Sequence, residues 1–177
     1  AIVIGTVFLF ASSDVLTKHL ATRYPVELVM AIRYLVSLML ILTFFWPVMG
    51  RTLWQTRRIR WVLLRGLILV LASLMIAHAL RLMPVGETIS ILYSFPILVM
   101  ILSIPLMKEK LSLFNWGCAF FGFAGVLIIV RPGGGLDTLG VTFALLTALL
   151  TAIFHLMTRV LATTETSHAL LFHSILV

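Results

Sequence analysis

Hydrophobic positions in this chain gather into long runs. Apolar stretches at about 2–20, 28–48, 61–82, 87–107, 113–130 and 138–159 follow one another with short polar links, and a seventh opens after residue 167. About 20 apolar residues at 1.5 Å rise each span a hydrocarbon core of about 30 Å, so each run predicts a transmembrane helix. The elements together predict an all-α fold, a polytopic transmembrane helix bundle. Composition agrees: 62% of residues are hydrophobic, 11% are charged and the mean hydropathy is +1.18. A water-soluble domain of this size has too little interior to hide so much apolar surface.

The links carry punctuation and charge. Pro84, Val85 and Gly86 form a tight turn between the third and fourth runs, and Arg131, Pro132 and Gly133–Gly135 close the fifth. Links after the second, fourth and sixth runs hold Arg51, Arg57, Arg58, Arg60, Arg65, Lys108, Lys110 and Arg159. Links on the other side hold Lys18, Arg23, Arg81 and Arg131. Eight cations against four place the first set, and with it the N-terminus, on the cytoplasmic side. The formal charge of +7 is accounted for in this way, so no nucleic-acid partner is expected. The single Cys118 excludes a disulfide framework and a cysteine-based metal cluster within the chain. No metal or other cofactor is expected; Gly133–Gly135 lack the lysine and the strand–loop–helix setting of a phosphate cradle.

Residues 1–36 align without a gap on residues 142–177, with nine identical pairs, among them Thr6/Thr147, Ala11/Ala152 and Thr17/Thr158. Five runs separate the two starts, and an odd number inverts the second copy across the membrane. The expected organisation is a first five-helix repeat at 1–131 and, at 132–177, a linker and the truncated start of a second. The chain starts at Ala1 and stops at Val177 inside an apolar run, and reads as a piece of a longer, ten-helix protein.

Several stretches carry a family pattern. They are Ala79-Leu-Arg-Leu-Met-Pro-Val-Gly-Glu-Thr-Ile-Ser90, Phe95-Pro96, Lys108-Glu109-Lys110-Leu111-Ser112, Gly122-Phe-Ala-Gly-Val-Leu127 and Arg131-Pro132-Gly133. On these residues the chain resembles the EamA-type members of the drug/metabolite transporter superfamily. Met107-Lys108 stands where that family usually has Leu-Gly. The resemblance implies a ten-helix inner-membrane carrier of small organic metabolites, usually an exporter working by exchange or proton coupling. It also implies a central cavity lined by helices of both halves, and it does not specify a substrate.

Ionisable groups inside a bilayer are costly and mark candidate sites. Asp14 lies roughly 10 Å of helix rise from the end of the first run and is the candidate proton-coupling carboxylate. Its alternative role is a local pair with Lys18 at i+4. The repeat sets His155 at the position equivalent to Asp14, as a second candidate in a proton pathway. Thr6, Phe10, Ser13 and Thr17 share one stripe, facing either the cavity or a neighbouring helix. Ser13 and Thr17 are candidate substrate contacts, and so are His78 in the third run and Tyr93 and Ser94 in the fourth. There Glu87, Ser90 and Ser94 fall on one face, and Pro96 frees a carbonyl and permits a kink. Glu87 in a first helical turn also complements the helix dipole. Arg33 either pairs with an anionic substrate group or snorkels to the surface. Cys118, Gly122 and Gly125 form a small-residue stripe suited to close helix packing.

A secondary transporter of amino acids or related amphiphilic compounds, working by alternating access, accounts for these features best. A membrane-embedded enzyme would call for clustered His, Asp and Glu or a metal pattern, and none is present; His168 and His173 stand near Glu165 alone. A non-transporting scaffold would not need Asp14, His78 or His155. The partners expected are therefore the lipid bilayer, a small-molecule metabolite and protons, with a homodimer as the candidate assembly.

Overall fold

The computed structural model describes residues 2–49, 56, 58–107, 112–130, 135–165, 170 and 172–174, with backbone only at 2, 3, 6, 7, 10, 41, 44–49, 129 and 130. Residues 51–55 and 57 of the basic link, the 108–110 loop, Gly133, Gly134, His168 and the side chains of Thr6 and Phe10 lie outside that description. Among the described residues seven helices follow one another: α1 (Ile2–Ala21), α2 (Val26–Met49), α3 (Ile59–Leu82), α4 (Val85–Leu92), α5 (Phe95–Met107), α6 (Leu113–Val130) and α7 (Thr138–Leu161). Leu170 and residues 172–174 are again helical. There is no strand among the described residues. Ile59–Leu82, Val85–Met107 and Thr138–Leu161 are long and apolar enough to cross a membrane by length and composition. Helices α1 and α2 run for 20 and 24 residues.

The expected fourth span is two helices in line. α4 starts at Pro84, whose fixed φ and missing N–H suit a helix entrance. It ends at Leu92, the residue whose carbonyl would meet the ring of Pro96. Tyr93 and Ser94 form a turn, with Ser94 N–H donating to the Ile91 carbonyl at 3.0 Å and Ile97 N–H to the Ser94 carbonyl at 3.1 Å. Pro96 then sits in the first turn of α5, where no N–H is required. The expected kink is therefore a break, placed two residues before the proline. It lies roughly 12 Å from the start of α4 at 1.5 Å per residue, close to mid-span.

Helix α7 packs along α3 and also against α4 and α5, while α1 packs on α2, α3 and α4. Small residues line the contact of α3 with α7: Ala79 of α3 packs with Ala144 of α7, and Ala72 of α3 and Ala148 and Ala152 of α7 are buried too. At one end the contact is tightest. A Cβ on Gly140 would stand 2.6 Å from Met83 Cγ, and Met83 is itself 1% exposed. Asp137 caps the N-terminus of α7 by accepting from Gly140 N–H at 2.8 Å. The Asp137–Gly140 cap thus positions the glycine on which Met83 rests.

Helix α6 departs from expectation. Gly117, Gly122 and Gly125 meet nothing within 4 Å of where a Cβ would project, and Cys118 is exposed. The small-residue stripe is not used for close packing among the described residues. α6 touches the rest only lightly, at α4 and α5.

Candidate functional site

The break in the fourth span takes Tyr93 and Ser94 out of regular helix. Tyr93 projects outward, 63% exposed, while Ser94 turns inward and is 7% exposed. The helix that carries Glu87 and Ser90 stops at Leu92, just before them. Ser90 Oγ donates to the Gly86 carbonyl at 2.7 Å. Glu87 sits in the first turn of α4, where its charge complements the helix dipole. Beside the break a cavity of about 360 Å³ is lined by Tyr93, Pro96, Met100, Asn115, Cys118 and Gly122. Tyrosine, asparagine and the proline-freed carbonyl region give this otherwise apolar space a few polar handles, the pattern expected of a small-molecule pocket.

His155 of α7 contacts the start of α5. Its ring stacks on Phe95, the first residue of α5, with centroids 5.1 Å apart, and meets Phe154 edge-on at 5.7 Å. Of the residues singled out from sequence, Tyr93 lines the cavity, Ser94 turns inward from the same break, and His155 reaches the start of α5 through Phe95. The others lie elsewhere. His78 of α3 stacks on Phe143 of α7 at 5.4 Å and lies 3.6 Å from Glu27 of α2. That pair is too long for a hydrogen bond, and Glu27 is 70% exposed, so it contributes little to stability. On α1, Thr17 is buried and Ser13 and Asp14 are half-buried.

Asp14 and Lys18 are not paired. Lys18 Nζ donates to the Met83 carbonyl at 2.6 Å, at the C-terminal end of α3. There a cation satisfies a helix-end carbonyl and complements the dipole. The cation whose charge acts on Asp14 is Arg33 of α2. Asp14 makes no hydrogen bond or ion pair with a described residue. It is a half-buried carboxylate on α1. Asp14 and His155 hold equivalent repeat positions but occupy different surroundings, one beside Arg33 and one on Phe95.

Arg65 changes most between sequence and structure. Read from the chain it is a loop cation; in the structure it is 4% exposed inside the bundle. Nε donates to Thr158 Oγ1 of α7 at 2.7 Å. Nη1 donates to the Leu170 carbonyl at 3.1 Å and to Ser174 Oγ. Cζ lies 4.2 Å from the centre of the Phe154 ring. Hydrogen bonds to a charged group contribute about 1.5–3 kcal/mol each, and a desolvated cation–π contact adds about 2 kcal/mol. The signal was available in the sequence, since Arg65 follows Trp61 inside an apolar run. Removing it from the loop count leaves seven cations against four, so the expected orientation keeps its sign. Glu165, also buried, accepts from Arg58 N–H at 2.8 Å and ties the start of α3 to the end of α7.

No group of three or more His, Cys, Asp or Glu is placed to hold a metal ion among the described residues.

Comparison with known proteins adds to this geometry. The EamA-like transporter family matches residues 1–131. An S-adenosylmethionine uptake transporter of Rickettsia bellii (strain RML369-C) is 25% identical over 167 residues, covering 94% of this chain and 57% of that protein. Proteins with the same description from Rickettsia conorii and Rickettsia prowazekii are each 24% identical, covering 94% and 93% of this chain and 56% of their own length. The chain thus spans little more than half the length of the curated relatives it matches. No solved structure gives a significant match.

Proposed function

Because the chain belongs to the EamA-like transporter family, we propose that the protein carrying it is a secondary transporter of a small amphiphilic metabolite. Transport proceeds by alternating access between two inverted five-helix repeats, the first at 1–131 and the second starting within 132–177. The observation that supports this most is the mid-span break at Tyr93–Ser94, with a cavity beside it and His155 of the second repeat stacked against it. Broken helices at the midplane are where transporters of repeated architecture bind their substrates, because the interrupted backbone exposes polar groups only toward a cavity.

Tyr93 and Ser94 are the proposed substrate contacts. His78, Ser13 and Thr17 are proposed as further substrate contacts on neighbouring elements, away from the break. Asp14 and His155 are the proposed proton carriers. The relatives' description directs the substrate choice to S-adenosylmethionine, a compound joining an amino-acid end to a nucleoside end. It also favours uptake over the export that the sequence resemblance implies. A zwitterionic substrate fits a membrane interior whose few polar groups are mixed in sign.

Reconstitution of the protein in proteoliposomes, with labelled S-adenosylmethionine outside, tests this reading. Saturable uptake is expected. Tyr93→Ala is expected to raise KM about fivefold, equivalent to roughly 1 kcal/mol of lost binding, without loss of folded protein. Absence of saturable flux for S-adenosylmethionine, amino acids and nucleosides alike, with the protein folded, would overturn it.

A further inference from the structure

We propose that Arg65 is the clasp that holds one face of the transporter closed, a positioning residue for transport that joins the first repeat to the second. This rests on the alternating-access reading above. Arg65 lies six residues into α3, roughly 9 Å from the helix start at 1.5 Å per residue, on the face that also carries Arg58, Arg60 and Arg159. Its contacts cross from α3 to α7 and to the helical residues 170 and 172–174. In the repeat alignment, α3 belongs to the first copy and all of its partners to the second.

The contacts are of a kind that can be made and broken. They comprise two hydroxyls, one carbonyl and one aromatic face, none of which carries a negative charge. Both hydroxyls have a partner on their own helix: Thr158 Oγ1 donates to the Phe154 carbonyl at 2.6 Å, and Ser174 Oγ donates to the Leu170 carbonyl at 2.6 Å. Parting α3 from α7 therefore leaves neither hydroxyl orphaned. The guanidinium alone loses its partners, and from this depth its long stem lets it reach the aqueous surface. A carboxylate in place of either hydroxyl would instead be left as an unpaired buried charge, which is far costlier.

The clasp is joined to the proposed substrate site through two adjacent residues of α7. Phe154 lies under the guanidinium, and His155 stacks on Phe95 at the start of α5, next to the break. A substrate that shifts α5 at the break disturbs the Phe95–His155 stack and turns the Phe154 face away from Arg65. A second cavity, of about 460 Å³, lies on the same face between α3, α5 and α7, lined among others by Trp61, Ile68, Leu106, Ile153 and Met157. It is the space into which these helix ends can move.

The test measures accessibility from the two membrane faces of the full protein in proteoliposomes, in a Cys118→Ser background. Met157→Cys reports the clasp face and Leu136→Cys, at the other end of α7, reports the opposite one. Each is labelled with a membrane-impermeant maleimide. In Arg65→Gln, labelling at position 157 is expected to rise about fivefold and labelling at position 136 to fall by a similar factor, as a shifted two-state population requires. Thr158→Val with Ser174→Ala leaves the cation and removes its hydroxyl acceptors; it is expected to give the same reciprocal change and carries the test if Arg65→Gln does not fold. A merely structural role for Arg65 predicts faster labelling at both positions, and that result, or no change at either, overturns the clasp. Reciprocal labelling in a protein that moves no metabolite would sink the transport reading and leave the clasp standing. Intact flux with no reciprocity would do the reverse.

Discussion

Lys18 Nζ and the Met83 carbonyl are 2.6 Å apart, although 65 residues separate them in the chain. The bond joins the end of α1 to the end of α3. It explains why Lys18 is not paired with Asp14. Replacing Lys18 with Met keeps most of the apolar stem and removes the charged donor. A loss of about 1.5–3 kcal/mol is expected, read as a lower unfolding midpoint of the protein in detergent. An unchanged midpoint would mean that water replaces the ammonium at no cost.

Met83 is also the residue that rests on Gly140. Because a Cβ there would stand 2.6 Å from Met83 Cγ, Gly140→Ala is expected to destabilise by about 1–3 kcal/mol, the usual cost of overpacking. Adding Met83→Ala should recover part of the loss, since the methionine arm is what the new methyl meets. Equal stability of Gly140→Ala and the wild-type protein in thermal denaturation would contradict the close approach.

Asp14 is predicted to carry the coupled proton. Asp14→Asn keeps the size of the side chain and cannot ionise. Proton-driven accumulation of substrate is expected to be lost, while exchange of internal for external substrate continues, since exchange needs no net proton movement. An unchanged dependence of flux on the proton gradient in this variant would remove Asp14 from the mechanism.

Cys118 lies on the wall of the cavity beside Tyr93 and is exposed. If substrate occupies that cavity, a saturating concentration should slow maleimide labelling of Cys118 by about tenfold, the ratio expected when about nine-tenths of sites are filled. Labelling that proceeds at the same rate with and without substrate would place the substrate elsewhere and shift attention to Asp14 and His78.

The all-α character and the order of the apolar runs are determined by the chain itself, and three of the resulting helices, Ile59–Leu82, Val85–Met107 and Thr138–Leu161, are long and apolar enough to cross a membrane. Apolar run length is a local property, and the bilayer converts it directly into helices because backbone polar groups have no other partner in hydrocarbon. Pro84 and Pro96 likewise mark the entrance of α4 and the break that follows it, because a missing N–H acts within one turn. The family motifs are legible for the same reason, since they are contiguous. What the chain does not determine by itself is which polar group meets which. Lys18 finds a carbonyl instead of Asp14, Arg65 leaves the loop set for the interior, and the Cys118–Gly125 stripe faces open space instead of a neighbouring helix. These pairings depend on how helices distant in sequence are rotated and spaced, as in the alanine-lined contact of α3 with α7 and the Met83–Gly140 seat, which only the tertiary structure brings together.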